Sequence, residues 1–230
     1  MSTRVGVGVY GTTSATITLV AGKSGILHGK FEGGTGVVTP ASFTDPLGNT
    51  WTRQSVVYHA TGGEPGSVIY TCLGIVTGGS VTLAIPYTGT TATFLRHEVE
   101  QWDPGAGNVH AVDGVFSAQA TGGGGTGTYN AITGASATGA GVAIFAVSDF
   151  ASLGTLTGGG TPGFAITVAV TANGDSFMAY AAVTGAGAVT PSVSTTSGFT
   201  RSVQHLILLK EVAAGGSSAP AAYHLMQMQG

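Results

Sequence analysis

Apolar and polar side chains alternate in short runs along most of this chain. Residues 15 to 20 read ATITLV, with Thr16 and Thr18 alternating with apolar residues, the period-2 pattern of a half-buried strand. After a GKSG turn, ILHGKF at 26 to 31 predicts a second strand, with Leu27, Gly29 and Phe31 on one side and Ile26, His28 and Lys30 on the other. SVIYTCLGIV at 67 to 76 and VTLAIPY at 81 to 87 are two apolar β runs joined by TGGS, a hairpin signal, and Pro86 asks for a strand end or an edge. GVAIFAV at 141 to 147 is nearly continuous in apolar residues, which suits a central strand. FAITVAV at 164 to 170, SFMAYAAV at 176 to 183 and HLILLKEV at 205 to 212 continue the series.

No segment holds helical period with capping residues over ten positions. The pattern predicts about ten to twelve short strands and essentially no helix. Such chains bury one face of each strand by stacking sheets, so the expected fold is all-β: an antiparallel two-sheet sandwich, jelly-roll-like, with a C-terminal extended arm. The expected divisions are an N-terminal arm at 1–13, the sandwich at 14–212, and a linker and docking tail at 213–230.

The turn at 43 to 59, FTDPLGNTWTRQSVVYH, is the best-defined corner. Pro46 fixes φ, Gly48 and Asn49 tolerate positive φ, and the Asp45 carboxylate can accept from backbone amides two residues on. Residues 104 to 140 lack a pattern, and the four consecutive glycines within TGGGGTGT at 121 to 128 predict a loop.

Composition narrows the function. Charged residues are 7% of the chain, against about 25% in an average soluble domain, and Gly numbers 40. Solubility must then rest on neutral hydrogen-bonding groups or on coverage by partners. With 7 basic and 10 acidic side chains, net −3 and no basic run, nucleic acid is not an expected partner. No apolar block has the form of a secretory signal and no stretch is long enough for a membrane span, so membrane insertion is not expected. The single cysteine, Cys72, excludes an internal disulfide framework and reads as a buried strand residue.

The densest charge lies in TATFLRHEVEQWD at 91 to 103. On a strand, Phe94, Arg96, Glu98, Glu100 and Trp102 share one face, and Leu95, His97, Val99, Gln101 and Asp103 the other. Glu98 and Glu100 would stand roughly 6 to 7 Å apart, a spacing open to an acid/base pair with Trp102 as a sugar platform. The simpler reading is a polar strand face on which Arg96 neutralises Glu98. His97 with Asp103, and His110 with Asp113, lack a third ligand at a recognisable spacing, so no metal and no cofactor is implied. The linker AAGGSSAPAA leads to YHLMQMQG, whose Tyr223, Leu225, Met226 and Met228 are candidates for docking on a partner.

In the order of its features, the chain resembles a family of β-sandwich domains found in bacteriophage particle proteins and some bacterial surface proteins. The resemblance covers roughly residues 14 to 212. It rests on the Gly-Lys-Ser-Gly-Ile-Leu run before the second strand and on Asp45-Pro46-Leu47-Gly48-Asn49-Thr50-Trp51-Thr52. Val68-Ile69-Tyr70, the acidic strand ending at Glu100, and Gly198-Phe199-Thr200 before the last strand extend it. Gln101-Trp102-Asp103 departs from the expected Tyr-Ser-Gly-like run. The resemblance implies a virion or surface module and no enzymatic reaction. With the low charge, abundant Gly and Thr and no signal, the expected location is the virion after synthesis in a host cytoplasm, with other virion proteins and copies of itself as partners. A capsid decoration or head-spike subunit is the leading expectation. The alternative is a carbohydrate- or receptor-binding module on a tail fibre or surface appendage, with a cell-surface glycan stacked on Trp51, Trp102, Tyr58 or Tyr87.

Overall fold

The computed structural model describes residues 1–32, 36–58, 65–89, 92–170 and 175–215. Its nineteen strands among these residues, in chain order, are β1 (Thr3–Arg4), β2 (Val9–Gly11), β3 (Ala15–Leu19), β4 (Ser24–Glu32), β5 (Val37–Val38), β6 (Ser42–Thr44), β7 (Thr50–Tyr58), β8 (Pro65–Cys72), β9 (Gly79–Leu83), β10 (Thr88–Gly89) and β11 (Thr93–Asp103). The second half supplies β12 (Asn108–Tyr129), β13 (Ser136–Ala137), β14 (Gly141–Asp149), β15 (Leu156–Thr161), β16 (Ala165–Val170), β17 (Ser176–Val183), β18 (Gly187–Ala188) and β19 (Thr190–Ala213). No α-helix occurs among the described residues, and no helix there is long and apolar enough to cross a membrane.

Two main antiparallel sheets face each other, as the alternating pattern predicts. One runs β1-β11-β4-β8-β7-β6 with β2 also on β11; the other runs β12-β19-β14-β17-β16 with β15 also on β19. The two sheets share their wiring. The order β11-β4-β8-β7 in the first is matched by β19-β14-β17-β16 in the second, and the ribbon β3–β9 is matched by β13–β18. The chain is thus a topological repeat whose halves lie back to back.

Apolar side chains gather in three clusters that follow from this repeat. Ile17, Leu27, Phe31, Trp51, Tyr70, Val81 and Val99 form one within the first half, under the β3–β9 ribbon. Tyr129, Phe145, Phe164, Phe177, Val193 and Leu206 form a second within the second half. The third, with Ile26, Ile69 and Trp102 against Ile144, Met178 and Ile207, lies between the sheets. Both faces of β4 are therefore buried. Leu27 and Phe31 enter the first cluster, while Ile26, His28 and Lys30 meet the opposing sheet.

The corner at Asp45 is built as its residues dictate. One carboxylate oxygen accepts from the backbone N–H of Leu47 at 2.8 Å and of Asn49 at 3.0 Å, and the other from the Trp51 indole N–H at 3.1 Å. Gly48 takes a φ of 87° in the turn. Asn49 carries the corner across to the next hairpin, its Oδ1 accepting from the N–H groups of Val76 and Thr77, each at 2.9 Å.

The glycine-rich stretch expected as a loop is instead strand. β12 continues through Thr121–Tyr129, paired with β19 from Arg201 back to Val193 across two register shifts. The reason is the Phe199 ring, which lies where a side chain at Gly122 or Gly127 would stand. Glycine is needed there to admit an aromatic ring, and propensity alone carries no sign of it.

Candidate functional site

The polar face of β11 does not meet water. In the β4–β11 ladder Glu98 stands opposite His28 and Arg96 opposite Lys30, and in the β4–β8 ladder Ser67 stands opposite Lys30. Directly opposed residues of an antiparallel pair project to the same side. That side is the one covered by the second sheet, which adds Ser148 from β14, Asp175 just before β17, Ser176 at its start, and His205 from β19. The result is a polar seam running through the middle of the molecule.

At its centre His28 Nδ1 bonds Glu98 Oε2, and His28 Nε2 lies 2.8 Å from Ser67 Oγ and 3.2 Å from Ser148 Oγ. Ser176 Oγ donates to the other Glu98 oxygen at 2.6 Å. The His205 ring sits edge-on to His28 at 6.4 Å. Serine, histidine and carboxylate in this order are the parts of a nucleophilic triad. Yet His28, Ser67, Glu98, Ser148, Ser176 and His205 are all fully buried, so no substrate carbonyl can reach a serine oxygen. The arrangement is a hydrogen-bonded join between sheets.

Burial sets the proton affinities along β11 and β19. It pushes His205 down to about 3, helped by the neighbouring His28, and His97 down to about 4. It pushes Glu100 up to about 6, against the smaller opposing pull of hydrogen bonds and Arg4. Glu98 and Glu100 do share a face, as the period-2 reading expects, but Glu98 is bound to His28 and Ser176, and Arg96 turns to Asp175 with Nε 3.6 Å from Oδ1. The expected Arg96–Glu98 neutralisation is thereby corrected. A face that looks outward to one strand has a second sheet on it, and that sheet supplies different partners.

The aromatic side chains expected as glycan platforms are placed inside or against the core. Trp51 and Trp102 are fully buried, the first stacked near Phe43 and the second against Tyr180 at 4.8 Å. Tyr58 and Tyr87 pack on Phe31 with centroids 5.5 and 5.3 Å away, and Tyr58 Oη donates to the Val37 carbonyl at 2.6 Å. These four rings are held by intramolecular packing, and the two tryptophans have no face left for a sugar. Tyr223, Leu225, Met226 and Met228 lie outside the described residues. His110 is bonded to Ser2 Oγ at 2.8 Å, and Asp113 to Lys210 at 3.1 Å, so neither serves the other.

The outer surface shows the opposite character. Val7, Val76 and Phe94 are exposed by 74%, 81% and 64%, with Tyr10 and Phe150 also exposed. Phe94 has a φ of 48°, in the left-handed region that a bulky residue rarely enters, beside the register shift between Thr93 and Arg96. Two surface hollows of about 440 and 430 Å³ are lined by Val5, Val7, Thr16 and Ile17, and by Ile85, Tyr87 and Leu95; among the described residues neither lining holds a carboxylate or a basic side chain.

Together these features define an antiparallel all-β protein in which His28, Lys30, Glu98 and His205 are sealed between the sheets. No family model matches the chain. No curated protein matches it either. Among solved structures, the major capsid protein P2 from Bacteriophage PM2 is similar over 94% of this chain and 100% of that chain, with 11% identity and a TM-score of 0.29.

Proposed function

We propose that the protein is a structural subunit of a phage or phage-like virion that acts by packing against copies of itself and other virion proteins, as a capsid decoration or head-spike subunit. The observation that carries this reading is the placement of charge. Lys30, Glu98, Glu100 and Asp175 are sealed inside, while Val7, Val76 and Phe94 stand in solvent. Apolar groups that stand in solvent are favourably covered by another protein surface. The resemblance of residues 14 to 212 to phage particle proteins points the same way.

The test is incorporation. Purified full-length chain is mixed with particles lacking it, beside Val76→Ser and Phe94→Ser variants and a chain without residues 216–230. The expected result is particle-bound wild-type protein and weaker binding of at least one surface variant. A wild-type chain that stays monomeric at high concentration and never pellets with particles or their components would refute the reading.

A further inference from the structure

One cluster in the seam is not explained by joining the sheets. Lys30 is fully buried, and its Nζ contacts Asp175 Oδ2 from the opposing sheet. Glu32, two residues on along the same face of β4, places Oε1 3.0 Å from the same nitrogen. Asp175 is itself buried and fixed through its backbone, its carbonyl accepting from the Asp149 N–H at 2.6 Å. Its second oxygen, Oδ1, faces Arg96 Nε at 3.6 Å.

We propose that Lys30 and Asp175 form an intramolecular amide bond, with Glu32 as the proton carrier. An amine, a carboxyl carbon and a second carboxylate have been brought together by folding, which turns a bimolecular condensation into a unimolecular one. The Lys30 ammonium passes one proton to the Asp175 carboxylate, leaving a neutral amine and a carboxylic acid. Nζ then attacks Cγ of Asp175, and a C–N bond forms while the C=O π pair moves onto oxygen beside the Arg96 guanidinium. Glu32, within proton-transfer reach, takes a proton from the attacking nitrogen and gives one to the hydroxyl, which leaves as water. The sum is ammonium plus carboxylate going to amide plus water, with no oxidant or activating group required.

The environment favours the product. Lys30, Glu32 and Asp175 are removed from bulk water, where an ion pair keeps a large desolvation cost, and replacing two opposite charges by one neutral amide lifts it. The bond would tie β4 to β17 and so lock the two halves of the repeat together. This inference is independent of the virion reading, since it concerns only groups inside one chain.

The experiment is the mass of the intact, denatured full-length protein. The expected value is about 18 Da, one water, below the sequence mass, with a digest yielding one branched peptide that joins Lys30 to Asp175. Glu32→Gln is expected to show the full mass. Asp175→Asn is expected to form the same link with loss of ammonia, about 17 Da below its own sequence mass. A wild-type chain of full mass overturns the proposal and leaves an ordinary buried ion cluster, a result that needs no variant to fold. A loss of water that the digest locates anywhere else, such as a cyclised Asp175 without Lys30, overturns it equally.

Discussion

Truncating Asp45 to Ala tests the corner from which β7 starts. The carboxylate is nearly sealed and takes hydrogen bonds from Leu47 N, Asn49 N, Asn49 Nδ2 and the Trp51 indole. Without it, Asn49 Nδ2 keeps the Thr77 carbonyl at 3.0 Å, and the half-buried Leu47 amide can find water. The Trp51 N–H and the Asn49 N–H have no such recourse. A buried donor left without an acceptor costs about 1–3 kcal/mol, so the two together cost roughly 4 kcal/mol. For a chain of this size each kcal/mol moves the melting point by about 2–4 °C, which gives a fall of about 8–16 °C. Guanidinium unfolding followed by tryptophan fluorescence reads the change, and Asp45→Asn, which keeps one acceptor, should lose about half as much on the same scale. A loss below about 1 kcal/mol for Asp45→Ala would mean that the corner relaxes freely and the reasoning is wrong.

Three further outcomes follow from the packing and the seam. Gly25→Ala places a methyl 2.5 Å from Cη2 of the buried Trp51 ring, so it should cost about 1–3 kcal/mol by chemical denaturation, whereas a change at open Gly22 that respects its positive φ should not reproduce the ring clash. Glu98→Gln disturbs the buried contacts with His28 and Ser176 and should destabilise by about 1–3 kcal/mol, whereas replacing His28 and Glu98 together with apolar residues should cost less than the sum of the two single changes; additive losses would refute a coupled pair. Acid should weaken the fold. His97 and His205, at about 4 and about 3 in the folded state against an ordinary 6.5, bind protons in the unfolded chain first, so their contribution is lost as pH falls below 6.5. Glu100, at about 6 against 4.5, is protonated first in the folded state and opposes this between those values. Two protons against one leave a fall of about 1.4 kcal/mol per pH unit near pH 5, and His110, also held at about 4, adds in the same direction. Guanidinium midpoints at pH 7, 6 and 5 that stay level or rise would contradict it.

Much of the scaffold is legible in residue order. Alternation locates β3, a short run after the GKSG turn locates β4, a continuous apolar run locates β14, and Asp-Pro-Leu-Gly-Asn locates the corner. What alternation cannot state is what lies on the far side of a strand. Ile26, His28 and Lys30 have the same spacing whether they face water or another sheet, and their burial depends on residues more than a hundred positions away. The seam is hidden for that reason. Glu98 and Ser176 are 78 positions apart, Lys30 and Asp175 are 145 apart, and neither pair leaves a local motif. The strand character of Thr121–Tyr129 is hidden for a related one, because the glycines answer to Phe199 on another strand. Nor does any local signal mark Phe94, whose neighbours Thr93 and Leu95 are ordinary strand formers.

The back-to-back repeat also bears on how the chain is made. The first apolar cluster draws only on residues up to Val99, and β11, which closes its sheet, ends at Asp103. The amino-terminal half can therefore finish folding while its counterpart is still on the ribosome. During that interval the face later covered by the second sheet lies open, and His28, Lys30, Arg96, Glu98 and Glu100 give it a wettable coat that a purely greasy contact would lack. Charges that are costly to bury in the finished chain thus give the nascent one a face that water can wet.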